Sequence, residues 1–309
     1  MPHPLDLLCI GEPLFEFSHV GDGNWREGFG GDVSNVAIAA ARQGAKTALL
    51  SRLGADSFGD RFRALWSRED VDHTYVETDP AAPTGLYFIT QKDGDHVFDY
   101  RRAGSAASKL SDKNLPRDAL AQARIVHQSG ISQAISPSAR DAGFAAIEAV
   151  KDAGRLVSYD PNLRLKLWPL DQAGEVIHAA MARADIALPG LDDAQTLTGL
   201  SDPKDIVAFY RDLGPDIVAL TMGRDGALVS YSDQLIRIPA MPAKAVDATG
   251  AGDCFDGSFL ARLALGDEVD AAARYAVAAA SLSVKGYGAV APLPTGDEVC
   301  AVLDEQDVS

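Results

Sequence analysis

Short apolar runs of β character recur along the chain, separated by alanine-rich segments with helical spacing. The runs are "LDLLCI", "TALLSR", "RIVHQS", "RLVSYD", "DIALP" and "DIVALT". Such alternation predicts parallel βαβ units, because parallel strands need a crossover and the crossover helix covers a face of the sheet. The expectation is a single α/β domain over residues 1–309. Its central sheet is mostly parallel with helices on both faces, and ligands sit outside the carboxyl ends of the strands. Two stretches break the alternation. "LFEFSHVGDGNWREGF" follows the first strand, and "TGLYFITQKDGDHVFDYRR" carries two β-rich runs around the glycine-containing "KDGD". Together, at about residues 12–29 and 84–103, they predict a small antiparallel β lid. Within it Phe98, Tyr100 and Arg102 alternate and so share a face. That face either closes over a polar, anionic ligand, or it is lid core with Arg102 as a solvated edge charge.

Charge narrows the function classes. Against 44 acids the chain has 28 bases, a formal charge of −16. This field repels phosphate backbones and anionic headgroups, so neither nucleic acid nor a membrane surface is an expected partner. An anionic small molecule would need local Arg or Lys side chains. The three cysteines, Cys9, Cys254 and Cys300, are odd in number and far apart, which suggests neither a disulfide framework nor a zinc site and fits the reducing cytoplasm. No uncharged apolar run approaches the roughly 20 residues of a membrane span, and the apolar opening reads as a first buried strand.

Four motifs carry chemistry. In "GGDVSNVAIAAARQG", Gly30 and Gly31 let backbone approach a ligand, and Asn35 in the first helical turn offers a donor and an acceptor to sugar hydroxyls; the alternative is a tight turn with Asn35 as its cap. "DPNLRLKLW" brings Asp160, Asn162 and Arg164 out at a strand's carboxyl end, where Arg164 can neutralise an anion or join a surface ion pair. "TMGRDGALV" sets Thr221, Gly223 and Gly226 after a strand, either as a flat turn against a nucleotide or as a plain hairpin. In "DATGAGDCFDGSF", Gly250, Ala251 and Gly252 leave amides open at a helix start, an anion hole without the Gly-Lys-Ser/Thr of a Walker loop. As a mere first-turn acid, Asp253 would stabilise the helix by about 0.3–1 kcal/mol. As general base for phosphoryl transfer to an alcohol it would lower a barrier by roughly 3–5 kcal/mol. The second role accounts for an acid beside an anion hole.

Taken together these residues resemble the ribokinase-like, or PfkB, sugar kinases over nearly the whole chain. "DATGAGDCFDGSFLARL" is similar to the family's carboxyl-terminal signature, and "GGDVSNVAIAAARQG" followed by "LGADSFG" to its amino-terminal one. Within the family, "GEP", "TGLY", Tyr100 to Ala107, His127 to Ile131, and "D-x-N-x-R" followed by "LW" resemble the 2-keto-3-deoxygluconate kinases. The resemblance implies transfer of phosphate from ATP, with magnesium, to the terminal (6-) hydroxyl of that sugar acid. It implies Asp253 as base and Gly250 to Gly252 as anion hole. It implies substrate contacts from Gly31, Asn35, Tyr87, Tyr100, Arg102, Ile131 and Arg164, and a nucleotide loop at Thr221, Gly223 and Gly226. Where relatives carry N-x-x-E, this chain has "GLDD", giving Gly190 and Asp193, the shorter acid acting on magnesium through water. Asp247 and Thr249 match positions flanking a monovalent-cation site, for potassium. Ala276 stands where many members have an asparagine near the adenine, a contact this chain then lacks. Lid strands with apolar residues on both faces, Leu86 to Ile89, predict a homodimer. The competing expectations are a kinase of a neutral sugar such as fructose or ribose, and a catalytically silent sugar-acid sensor on a kinase fold.

Overall fold

All four residues of strand β1 (Leu7–Ile10) are buried, and successive side chains enter opposite apolar layers. Leu7 and Cys9 join the layer on one face of the sheet, Leu8 and Ile10 the layer on the other. A continuous apolar run is what a parallel strand covered on both faces requires. The computed structural model describes residues 5–92 and 95–307.

The remaining strands are β2 (Leu14–Gly21), β3 (Asn24–Gly30), β4 (Thr47–Gly54), β5 (Val71–Asp72), β6 (Val76–Asp79), β7 (Gly85–Lys92), β8 (Asp95–Arg101), β9 (Ile125–Ser129), β10 (Leu156–Asp160), β11 (Ile186–Ala187), β12 (Ile217–Thr221), β13 (Ala227–Tyr231) and β14 (Gln234–Ile238). The large sheet runs β14-β13-β12-β11-β10-β9-β1-β4-β5, with β6 also on β4. From β4 across to β12 all pairings are parallel, and β13 and β14 close one edge antiparallel. The six β-runs of the sequence are all strands of this sheet, as the alternation predicts. Because β1 is flanked by β4 on one side and β9 on the other, the chain reverses its direction of winding there. A crevice opens at such a point, beyond the carboxyl ends.

Helix Ala251–Leu265 lies against helices Asp32–Arg42 and Val269–Ser283, with an unbroken buried stretch from Cys254 to Ala261. Close approach depends on Gly257, where a Cβ would fall 2.4 Å from the carbonyl oxygen of Val36. This packing fixes the start of one helix beside the start of the other.

The small sheet has the order β3-β2-β7-β8. It consists of two antiparallel hairpins joined by a parallel pairing of β2 with β7. Its strands arise from the two stretches that break the alternation, β3 running on to Gly30; Asp93 and Gly94, at the centre of "KDGD", lie outside the described residues. One face carries Tyr87, Ile89, Phe98 and Tyr100 packed together with Leu14. The other presses Phe15 and Phe17 onto Phe58 of helix Ser57–Arg68 and continues through Phe88 to an exposed Trp25. No helix among the described residues is long and apolar enough to cross a membrane.

Candidate active site

The site begins where β3 turns into helix Asp32–Arg42. Gly31 caps that helix with φ 95°, and a Cβ there would lie 2.3 Å from the carbonyl oxygen of Glu12, so only glycine fits. Asp32 is buried in the first turn. Its Oδ2 accepts hydrogen bonds from Ser129 Oγ at the end of β9 and from Asn162 Nδ2 (2.9 Å) beyond β10. Its Oδ1 is buried without a partner. Asn35, also buried, donates from Nδ2 to Asp253 Oδ2 at 2.7 Å, and its own Oδ1 has no partner. Asn35 thus bridges two helices and is not a cap. The strand ends, not sequence proximity, assemble this cluster.

Helix Ala251–Leu265 starts from Gly250 with no side-chain cap, which leaves first-turn N–H groups for an anion. Ala251 is the exception among the expected three residues, since its N–H turns onto Ala248 O at 3.2 Å. The preceding turn is held by Asp247: its carboxylate accepts from Thr249 N (2.9 Å), Thr249 Oγ1 (2.6 Å) and Gly288 N (3.0 Å).

A cavity of about 650 Å3 opens at this helix start, and Thr221, Gly223 and Gly226 line it together with Ala251 and Gly252. Two glycine motifs read separately in the sequence therefore share one chamber. The hairpin reading of "GRDG" also holds, because β12 and β13 are antiparallel and Met222 N closes the turn on Gly226 O at 2.8 Å. Ala276 lies fully buried in the core, and Val277, Ala280 and Ser281 of the same helix form the cavity wall.

Electrostatics single out Asp253. Enclosure by protein, then the charge of Asp32, pushes its carboxyl up to about 7 against the opposing pull of the Asn35 hydrogen bond and Arg164. A group poised near neutrality can take a proton and return it. Asp160 is held well above the usual carboxylate range by burial and then by Asp32, Asp193 and Asp253. Asp256, one turn after Asp253, is raised by burial and by Asp160, Asp253 and Asp32. His127 of the "H-x-S-G-I" stretch is a core residue: burial drops it to about 3, and it faces Ser158 Oγ at 3.1 Å.

On the inner face of the small sheet Tyr87 stacks on Tyr100 (centroids 5.8 Å apart), and its hydroxyl donates to Glu16 Oε2. Burial and the Glu16 charge raise the Tyr87 phenol well above its ordinary range, and the more distant charge of Asp253 adds to the shift. Phe98 and Tyr100, both half-buried, pack against the core of the small sheet. Arg102 is not a solvated edge charge. It is buried against Glu12, Nη2 to Oε2 2.5 Å, with its guanidinium 5.6 Å from the Tyr100 ring centroid. Glu12 also accepts from Ser105 Oγ at 2.5 Å, and burial raises its carboxyl despite Arg102.

Arg164 is half-exposed, bonded to Leu163 O at 2.8 Å and 3.8 Å from Asp193. Asp193 in turn accepts from Leu163 N at 2.8 Å, so these residues order the loop after β10. Burial raises Asp193, and Arg164 lowers it. Ile131 is half-buried on the short helix Gly130–Ala134, directly after β9.

Sequence reasoning overlooked Asp32, Ser129, Glu12 and Glu16. Asp32 stands in a quoted motif but reads as an ordinary first-turn acid, and its partners Ser129 and Asn162 are 97 and 130 residues away. Among the described residues no three His, Cys, Asp or Glu side chains group to hold a metal ion. Magnesium that arrives on nucleotide phosphates needs only one or two carboxylates, and Asp193 lies close enough to Asp160 for its charge to raise that carboxyl.

A half-buried carboxylate near neutrality beside an uncapped helix start, next to a cavity of small-molecule size, is an arrangement suited to phosphoryl transfer. Known proteins agree. Residues 6–296 match the family model described as pfkB family carbohydrate kinase. A 2-dehydro-3-deoxygluconokinase of Thermoproteus tenax is 32% identical over 310 residues, covering 97% of this chain and 94% of that protein. The probable chloroplastic fructokinase-6 of Arabidopsis thaliana is 33% identical, over 96% of this chain and 82% of its own length. A putative ribokinase II from E. coli, solved in complex with ATP and Mg2+, superposes with a TM-score of 0.90 at 26% identity, covering 97% of this chain and 99% of that one. Geometry, family model and full-length relatives converge, and the chain belongs to the pfkB family of carbohydrate kinases.

Proposed function

We propose that this sugar kinase phosphorylates the terminal (6-) hydroxyl of a sugar acid, 2-keto-3-deoxygluconate first among them. The observation that carries the reading is the Asp253 carboxylate. It is poised at about 7, oriented by Asn35 at 2.7 Å, and directly adjoins the uncapped start of its own helix. Asp253 accepts the proton of the acceptor hydroxyl while the first-turn amides hold the transferring phosphoryl group. The nucleotide lies along the cavity of Thr221, Gly223 and Gly226. Magnesium carried in with the nucleotide would neutralise phosphate charge, and Asp193 would hold it through water. Arg164 and the aromatic face of Tyr87 and Tyr100 meet the sugar acid, Gly31 and Asn35 its hydroxyls, and Ile131 its carbon skeleton. The small sheet acts as the lid that excludes water. Its outer face, where Trp25 and Val97 are exposed, meets the same face of a second copy. Potassium beside Asp247 and Thr249 belongs to the same proposal, the ion being held by turn carbonyls. The setting is the cytoplasm.

A neutral-sugar acceptor is the second reading, favoured by a specific observation. Arg102, the expected carboxylate partner, is already neutralised by Glu12 at 2.5 Å. A screen of ATP consumption over sugar acids and neutral sugars decides between them: turnover restricted to sugar acids supports the first reading, and turnover of fructose or ribose alone replaces it. Binding of a sugar acid with no ATP consumption would make the chain a silent sensor.

A further inference from the structure

The cavity beside Gly252 bears on the phosphate donor, in an inference that rests on the kinase reading above. Its volume of about 650 Å3 lies within the range of small-molecule sites. With phosphates at the start of helix Ala251–Leu265, the walls left for ribose and base include Ala240, Met241, Pro242, Ala245, Ala280 and Val284. Only aliphatic, thioether and ring carbon atoms project from them. Among the described residues lining the cavity there is no Asp, Glu, Asn, Gln or His.

Ser281 is the one hydroxyl on the helical wall, and it is engaged: it donates to Val277 O at 2.8 Å and accepts from Met241 N at 3.2 Å. Two backbone donors at the rim are engaged too. Gly226 N bonds Gly223 O at 3.1 Å and Val246 N bonds Val284 O at 2.8 Å. Pro242 has no N–H to offer. Thr221 and Arg224 sit at the β12 hairpin, Thr221 bridged to Gly190 and Arg224 exposed on the turn.

Adenine and guanine share a flat aromatic face and differ in the donors and acceptors on their edges. A site that reads edges by hydrogen bonds rejects the wrong partner by about 10⁴–10⁵-fold, whereas apolar contact separates near-isosteres weakly, by about 10²-fold or less. Here side chains offer contact and leave the edges unread. We infer that the donor site is a purine site of low base selectivity, accepting the triphosphates of guanosine and inosine as well as ATP.

The test is kcat/KM for the magnesium salts of ATP, GTP and ITP, measured on the full chain with whichever acceptor the screen identifies. The three values are expected to agree within about a hundredfold; a larger preference for ATP overturns the inference. Should no acceptor turn over, the kinase reading fails separately, and calorimetric Kd values for MgATP and MgGTP decide this one by the same limit. Failure to bind either nucleotide also overturns it. Placing an edge-reading group on the wall by Ala280→Asn is expected to change the ATP:GTP ratio at least about fivefold, the scale of one added hydrogen bond. An unchanged ratio means that the base lies elsewhere, and the inference falls.

Discussion

The two halves of the cleft are built on different principles. The acceptor half is dense with charged and polar side chains that fix one another: Asp32 with Ser129 and Asn162, Asn35 with Asp253, Glu12 with Arg102 and Ser105, Glu16 with Tyr87. Beyond Gly252, the donor half is a chamber walled largely by alanine, methionine, proline and valine. Buried polar groups left unpaired are costly, and the Oδ1 atoms of Asp32 and Asn35 have no partner, so on the proposed reading this half favours a ligand whose hydroxyls complete the network. On that reading, selectivity for the acceptor comes from side chains, and affinity for the donor comes from shape and helix-end amides.

The largest effect that would test this contrast is on chemistry. Asp253→Asn keeps the Asn35 contact feasible but removes the base, so kcat is expected to fall about a hundredfold or more with nucleotide affinity nearly unchanged. Near-normal turnover would break the comparison at its centre.

Next is Arg164→Ala, which should lower kcat/KM for a sugar acid by about 10- to 100-fold, the scale of one charge-assisted hydrogen bond, and for a neutral ketose only slightly. Equal losses on both substrate classes would show that Arg164 only orders the loop after β10. Arg102→Ala is a poorer probe, because it strands Glu12 as an unpaired buried charge.

A third outcome concerns pH. With Asp253 poised at about 7, kcat/KM of the free enzyme should climb tenfold per pH unit below that value and level off above it. Asp32→Asn removes the leading charge that raises Asp253, and should move this limb downward by up to about one pH unit. An unmoved limb would assign the limb to another group.

The smallest effect is on stability. A carboxyl whose folded pKa lies above its unfolded value binds more protons when folded, so it costs stability as pH rises from about 4 through about 7. Asp253→Asn removes that cost. Chemical denaturation should show the variant more stable than the parent by about 1–3 kcal/mol at pH 8, the gain fading toward pH 5. A variant less stable at both pH values would mean that Asp253 is held by favourable contacts.

Much of the architecture was readable because it depends on periodicity. The run "LLCI" is apolar throughout and is buried on both sides, and the two aberrant stretches became the small sheet. Gly31, Asn35, Asp253 and the "GRDG" hairpin stand out in the sequence as candidates because glycine geometry and helix ends are local properties. The partners of those residues were not. Arg102 reads as an edge charge until β1 and the "GEP" turn bring Glu12 beneath it, 90 residues away. Asp193 reads as a metal ligand from its place in the motif alone, and only the fold shows that Leu163, 30 residues earlier, donates to the same carboxylate.

The chain's own residues determined the strand and helix order, the two signature loops and the excess of acid, since each is set by local pattern or by simple composition. Only the tertiary structure decided which carboxylate is poised for proton transfer and which arginine is already neutralised. Both outcomes depend on desolvation and on charges a few ångströms apart, quantities that come into being when distant strand ends meet at the same crevice.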